Sequence, residues 1–345
     1  MQMMYKRAKI IIALIGALAL AAVVLAGCSN TGGNNTAAGL PKSPLMGDSS
    51  EEYYMVTFLS GMEYWKDCYR GFEDAGKLYG VKTVYTGSTQ YDVNQEVTAL
   101  EQVIAKKPAG IAVSCMNPDA FEAPIKKAMD KGIPVVTFDA DSPKSGRYSF
   151  LATGNEYAGS VAAKALAEQI GPSGGQVVII TLPAQLNHEQ RVAGFKKALE
   201  SEYSNLKLVQ VGNGKHDQTE AARVLAGMLQ ANPDIKGVFC TDAISGVGAA
   251  TAVKEADKVG QVKIVSFDTD KGTLDAIKAG VISASIAQGT YIMGYQSMNF
   301  LYHIKHNLIN PVEGWKEKGI SPLPPFVDTG VTIVTKENVD AFYAK

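Results

Sequence analysis

The sequence predicts an α/β protein built of two similar doubly wound, Rossmann-like domains, and three observations carry that expectation. Two phrases match: Val135-Val136-Thr137-Phe138-Asp139-Ala140-Asp141 and Ile264-Val265-Ser266-Phe267-Asp268-Thr269-Asp270. Each is a short β-branched run ending in Phe-Asp-x-Asp, which reads as a strand buried on both faces of a parallel sheet with acids at its carboxyl end. Ligands of open α/β sheets sit at that end. Around the phrases, strands alternate with helical stretches of about ten to fifteen residues, the pattern of βαβ units with right-handed crossovers. A chain of 345 residues is also long enough to bury two cores.

Taken in order, structure is expected to begin with a strand over 53–59 and a helix over 63–79 that Gly80 closes. A strand over 81–85, a helix over 93–105, a strand over 110–114 and a helix over 120–130 follow. Gly132-Ile133-Pro134 then leads into the first Phe-Asp-x-Asp strand. The second array starts after 148–152. It runs through a helix over 155–170, stopped by Gly171-Pro172, a strand over 176–181, a helix over 189–200, a strand over 206–211, a helix over 218–229, a strand over 237–240 and a helix over 244–256, and reaches the second phrase. Beyond Asp268 come a helix over 272–279, a strand over 282–287 and a long helix over 291–306. A Pro-rich loop over 321–325, a strand over 330–334 and a short last helix complete the chain.

Apolar residues make up 46% and charged residues 19% of the chain, an ordinary balance against which the first twenty-seven residues stand out. Lys6, Arg7 and Lys9 precede an apolar run from Ile10 to Ala26. Its length slightly exceeds the core of a signal peptide and just reaches the shortest membrane span, so length alone does not separate the two. Leu25-Ala26-Gly27-Cys28 separates them, because small residues before a cysteine resemble the bacterial lipoprotein lipobox. That resemblance makes 1–27 a signal peptide and Cys28 a lipidated first residue anchored to the membrane. Both readings place the body of the chain outside the cytoplasm. Residues 28–51, rich in Ser, Gly, Asn, Thr and Pro, read as a flexible tether.

Without 1–27 the chain holds 30 basic residues against 34 acidic ones, which lacks the basic footprint of a nucleic-acid binder. Cys68, Cys115 and Cys240 have neither disulfide nor metal-ligand spacing and are expected as buried free thiols. Gly246-Val247-Gly248 follows a strand, but Thr251 breaks the dinucleotide fingerprint, and no Gly-x-Ser-x-Gly stands at a strand-to-helix turn, where a hydrolase nucleophile would be. His303 and His306 share a helix face without a further metal ligand, so a solvated helix end is expected there. Asp-x-Asp is a candidate divalent-metal motif, yet it occurs on both halves, where capping of a turn also accounts for it.

Tyr64-Trp65, just after the first strand, changes the question. Neighbouring helix positions diverge by about 100°, so one ring is core and the other faces the cleft. An aromatic ring beside carboxylates is what a sugar wants: its C–H face packs on the ring while its hydroxyls donate to the acids.

With those residues in view, the chain resembles the type I periplasmic sugar-binding proteins of the ribose and galactose-binding family, receptors of bacterial ABC importers. The resemblance spans nearly all of 53–345. Met62-Glu63-Tyr64-Trp65 takes the place of that family's Asn-Pro-Phe-Phe, Ile133-Pro134-Val135 through Asp139 matches its Ile-Pro-Val-x-x-x-Asp, and Arg191-Val192-Ala193-Gly194-Phe195 matches its Arg-x-x-Gly-Phe. Thr241-Asp242, Phe267-Asp268 and Gln288 occupy further cleft positions, and an aromatic place of the second domain falls on His216. The resemblance implies ligand binding by Tyr64, Trp65, Asp139, Arg191, His216, Thr241, Asp268 and Gln288. It also implies a hinge of three segments, near Thr153, Gln288 and Val327, joining discontinuous domains (52–153 with 289–327, and 154–288 with 328–345).

Ala140, Thr241, His216 and Met62 depart from the ribose pattern, so ribose itself is not the expected ligand; a deoxy sugar, a polyol or a furanosyl signal are alternatives. The expectation is a monomeric, non-catalytic receptor without cofactor or metal, delivering a sugar to an ABC permease. Rival readings are a signalling receptor (through a chemoreceptor, a sensor kinase or autoinducer uptake) and, more remotely, a metal-dependent sugar enzyme. No helix-turn-helix precedes residue 53, which sets the chain apart from the related repressors.

Overall fold

A computed structural model describes residues 45–343. The expected signal peptide, Cys28 and the tether up to residue 44 lie outside the described residues. Of the described residues, no helix is long and apolar enough to cross a membrane.

Two six-stranded sheets organise the chain. The first has strand order β11-β5-β4-β3-β1-β2, from β1 (Glu52–Thr57), β2 (Lys82–Gly87), β3 (Gly110–Val113), β4 (Val135–Phe138), β5 (Phe150–Ala152) and β11 (Phe326–Asp328), all parallel. The second has order β12-β10-β9-β8-β6-β7, from β6 (Gly175–Thr181), β7 (Leu206–Asn213), β8 (Ile235–Cys240), β9 (Lys263–Phe267), β10 (Ala284–Gln288) and β12 (Val331–Val334). Only its edge strand β12 runs antiparallel, against β10. In each sheet the order reverses beside the first strand, between β1 and β3 and between β6 and β8, which opens a crevice at the carboxyl ends of the strands.

Helices α1 (Glu63–Tyr79), α2 (Val93–Ala105), α3 (Glu122–Asp130) and α9 (Thr290–Lys305) go with the first sheet; α4 (Asn155–Ile170), α5 (Leu186–Ser201), α6 (Gln218–Ala231), α7 (Ala243–Glu255) and α8 (Lys271–Lys278) go with the second. Helices cover both faces of both sheets, so the β-branched strands are apolar throughout: β3, β4 and the last five residues of β6 are wholly buried. Asp92, Asp217 and Asp242 start α2, α6 and α7 by accepting from the backbone N–H three residues on. Gly80, at φ 66°, ends α1. The chain passes between sheets at Ala152–Asn155, Gln288–Thr290 and Asp328–Val331.

Three sequence expectations change. The end of the expected tether is docked: Gly47 N donates to Tyr79 O at 2.9 Å, and Glu51 meets both Tyr53 and His306. His303 and His306 are not a solvated end, since they bond to Tyr79 and Glu51. Asp141 is neither a cap nor solvated: it forms a bidentate pair with Arg147, both side chains largely covered, and accepts from Thr137 and Ser142 as well. Cys68, Cys115 and Cys240 are buried free thiols.

Candidate ligand-binding site

Both Phe-Asp phrases end their strands in the same way. Asp139 and Asp268, one residue past β4 and β9, take φ values of 60° and 65°. Such left-handed backbone is costly for most side chains and least so for Asp and Asn, which bond locally. Asp139 accepts from Tyr64 Oη at 2.7 Å and from Ser114 Oγ at 3.3 Å. Asp268 accepts from Gln288 Nε2 at 2.7 Å. The acids come from different sheets yet lie close enough that the charge of Asp139 helps to raise Asp268. Burial is the larger cause and pushes Asp268 up to about 7, against the pull of Arg191 and Gln288. Asp139 is raised too, by burial, with Tyr64, Arg191 and Ser114 opposing.

Arg191, one turn inside α5, is 3% exposed and spends its guanidinium on three partners. Nε donates to Asn155 Oδ1 at 2.8 Å, Nη1 to Thr241 O at 2.8 Å and Nη2 to Gln288 Oε1 at 3.1 Å, while the plane stacks over Phe267 at 4.0 Å. Gln288 also accepts from Thr153 Oγ1 at 2.7 Å. Arg191, Gln288, Asp268 and Thr153 therefore form one network at two of the places where the chain changes sheets. The motif Arg-x-x-Gly-Phe has a packing reason as well. A Cβ on Gly194 would stand 1.9 Å from Glu156 O, so the glycine lets α4 close on α5, and Phe195 stacks on Phe239 in the core.

The aromatic residues divide the work as α1 geometry requires. Tyr64 turns its hydroxyl to Asp139, whereas Trp65 is buried edge-on against Phe58, Tyr64 and Phe138. Phe58 in turn meets Tyr91, whose ring stacks on His216 of the opposite sheet's array at 6.4 Å and whose hydroxyl meets Gln185. Two buried polar atoms in this group have no partner: Trp65 Nε1 and His216 Nδ1. Buried polar atoms are rarely left so.

Thr241 departs from its expected place. Its hydroxyl is buried and committed to Thr181 at 3.0 Å and His188 at 2.8 Å. Sequence reasoning leaves out His188, Phe58, Tyr91 and Asn155. His188 is missed because the expected helix begins at Glu189, whereas α5 begins at Leu186 with no side-chain cap to mark it.

Two concavities of about 700 Å³ flank the carboxylates, one bounded by Glu63, Tyr64, Asp67, Asp268, Asp270 and Gln288, the other by Phe58, Tyr91, Asp139, Asn155, Asn187 and Gln190. Among the described residues no group of three or more His, Cys, Asp or Glu side chains has the make-up of a metal site. The chemistry assembled is that of hydroxyl recognition: charged acceptors, fixed amide and guanidinium donors, and apolar ring faces.

Comparison with known proteins agrees with that geometry. The model of the periplasmic binding protein domain matches residues 53–307. The D-allose-binding periplasmic protein of Escherichia coli is 28% identical over 266 residues, covering 73% of this chain and 84% of that protein. Among solved structures, an arabinose-binding protein, AraP, from Geobacillus stearothermophilus is 49% identical with a TM-score of 0.81, covering 86% of this chain and all of that one. The sugar-binding protein of a sugar ABC transporter from Bacillus halodurans is 47% identical with a TM-score of 0.82, covering 85% of this chain and all of that one. This chain therefore belongs to the periplasmic binding protein family, in its type I branch of sugar-binding proteins that serve ABC transporters.

Proposed function

We infer that this chain captures a sugar between its two domains by hinge closure and hands it to an ABC transporter permease, without chemical turnover. The convergence of Asp139 and Asp268 carries the reading. They are two half-buried acids from two sheets, each with an unusual backbone that presents it at a strand end. A ligand that bridges them joins the domains, so binding and closure are one event. Tyr64 supplies a ring face with the buried Trp65 packed behind it, Gln288 and Arg191 orient Asp268, and His216 packs from the second domain. Each bond from a neutral hydroxyl to a charged acceptor contributes about 1.5 to 3 kcal/mol. Three or four of them, with ring burial, reach micromolar affinity after association costs of about 4 to 15 kcal/mol.

The domains run over 52–153 with 289–327 and over 154–288 with 328–345; membership of β11 in the first sheet and β12 in the second supports this division. Pentoses are the first ligands to test, arabinose foremost, because AraP is among the most similar proteins. Cys28 anchors the receptor to the outer face of the cell membrane through lipid.

Calorimetry across arabinose, ribose, xylose, allose, galactose and common polyols is expected to find one sugar that binds without being consumed. Turnover of that sugar, or binding that needs a divalent ion, sinks the receptor reading. A Cys28→Ser chain is expected in the soluble fraction; retention on membranes refutes the anchor.

A further inference from the structure

His188 is a polar group beside the cleft wall to which the family resemblance gives no role. It lies in the first turn of α5, three residues before Arg191 and so on the same helix face, and its neighbours Asn187 and Gln190 line the cleft. Its side chain is almost fully buried, 6% exposed.

The hydrogen bonds around it determine which ring nitrogen carries the proton. Thr241 Oγ1 donates its one hydrogen to Thr181 Oγ1 at 3.0 Å. The contact of 2.8 Å between Thr241 Oγ1 and His188 Nδ1 must then be accepted by the hydroxyl, which places the hydrogen on Nδ1. Asp242 does not compete for it, standing 3.9 Å away with its carboxylate already accepting twice from Ser245. Burial, with the charges of Arg191 and His216 nearby, holds the ring neutral. A neutral ring with hydrogen on Nδ1 presents a bare lone pair on Nε2. Among the described residues Nε2 makes no hydrogen bond, and it is not one of the sealed polar atoms that lack partners, so it keeps some access to solvent beside Asn187 and Gln190, which line the cleft.

We propose that His188 is a specificity-determining residue: its Nε2 accepts a hydrogen bond from one hydroxyl of the bound sugar, and Thr241 and Thr181 are positioning residues that hold the ring in that tautomer. This rests on the receptor reading and deepens it. A hydroxyl is selected over an acceptor-only group at that position, because Nε2 offers no proton, and a deoxy analogue leaves the lone pair unpaired. The arrangement also explains why Thr241 is turned inward: it acts on the ligand through the imidazole.

The test uses the full chain with nitrogen-labelled histidine, and L-arabinose, D-ribose, D-xylose and D-allose as probes. Calorimetry on the wild type first identifies a binder. Nitrogen NMR is then expected to show His188 as the Nδ1–H tautomer in the free protein and to shift its Nε2 resonance on saturation. His188→Phe, which keeps ring shape without the acceptor, is expected to bind that sugar about tenfold more weakly. The deoxy analogue lacking the bonded hydroxyl is expected to bind both forms alike. Thr241→Val is expected to let the ring populate both tautomers and to lose a smaller factor. If no probe binds, the receptor reading falls and this inference with it. If a sugar binds while the Nε2 resonance stays still, the inference falls alone, whether or not His188→Phe folds.

Discussion

Asp139 and Asp268 sit in left-handed backbone that Asn tolerates as well as Asp, so Asp→Asn at either position tests charge with little strain. Each substitution is expected to weaken sugar binding about 10- to 100-fold in calorimetry while leaving circular dichroism unchanged. The same acids govern the response to pH. Asp268 keeps its proton up to about pH 7 in the fold, whereas an unfolded carboxylate releases it near 3.8. Folding thus takes up a proton in that window, and stability is fullest at its acid end and declines as pH rises through it. Glu96, buried in α2 and pushed up to about 8, acts in the same sense. The ligand-free protein is expected to lose up to about 1.4 kcal/mol per pH unit from each group between pH 5 and 7. Asp268→Asn should flatten its share of that slope in thermal melts at several pH values. Asp141 is a different case from its partner in the phrase. Since it clamps Arg147, Asp141→Ala is expected to cost about 3 kcal/mol in urea unfolding while sugar affinity of the folded protein changes little. Its spacing within Phe-Asp-x-Asp is the same as that of Asp270, and nothing in that spacing distinguishes the fates of the two residues. Arg147, six residues on, does.

The helices close on each other over glycines, most tightly at two pairs. A Cβ on Gly194 would stand 1.9 Å from Glu156 O between α5 and α4, and one on Gly294 would stand 1.7 Å from Cys68 O between α9 and α1. Gly194→Ala and Gly294→Ala are each expected to destabilise by about 2 to 4 kcal/mol in urea titration. Gly227→Ala, on the exposed face of α6 with nothing within 4 Å, is the control and is expected to stabilise by about 0.5 to 1 kcal/mol. A loss at Gly227, or none at the other two, contradicts the close-packing account. At this scale the sequence was largely readable. The helices over 63–79, 93–105 and 155–170 have their expected bounds, because periodicity and the flanking Gly and Asp residues are local signals. β11 escaped notice, being three residues long directly after Pro324-Pro325; it exists because β5 offers a free edge.

Across the whole molecule, the two arrays meet at the carboxyl ends of their strands through Tyr91 and its partners Gln185 and His216. These contacts join loops of the two sheets in addition to the segments where the chain changes sheets. Tyr91→Ala is therefore expected to speed sugar release about tenfold in stopped-flow fluorescence, with a smaller effect on the rate of association, since the latch forms after the sugar has entered. An unchanged release rate rules out the latch.

Local pattern was enough to establish two parallel α/β arrays, the matched acids at their strand ends and an aromatic pair beside them. Those features depend on residues near in sequence, on period, branching and turn chemistry. The fate of each polar atom was decided by the tertiary structure alone. Thr241 turns inward, Arg191 braces Gln288 and His188 comes to hold a free lone pair because partners 60, 97 and 53 residues away occupy or spare their hydrogen-bonding atoms. Hydrogen-bond capacity is finite and is filled by whatever the fold brings near, so a binding role is settled by which atoms remain unspent once the chain has closed.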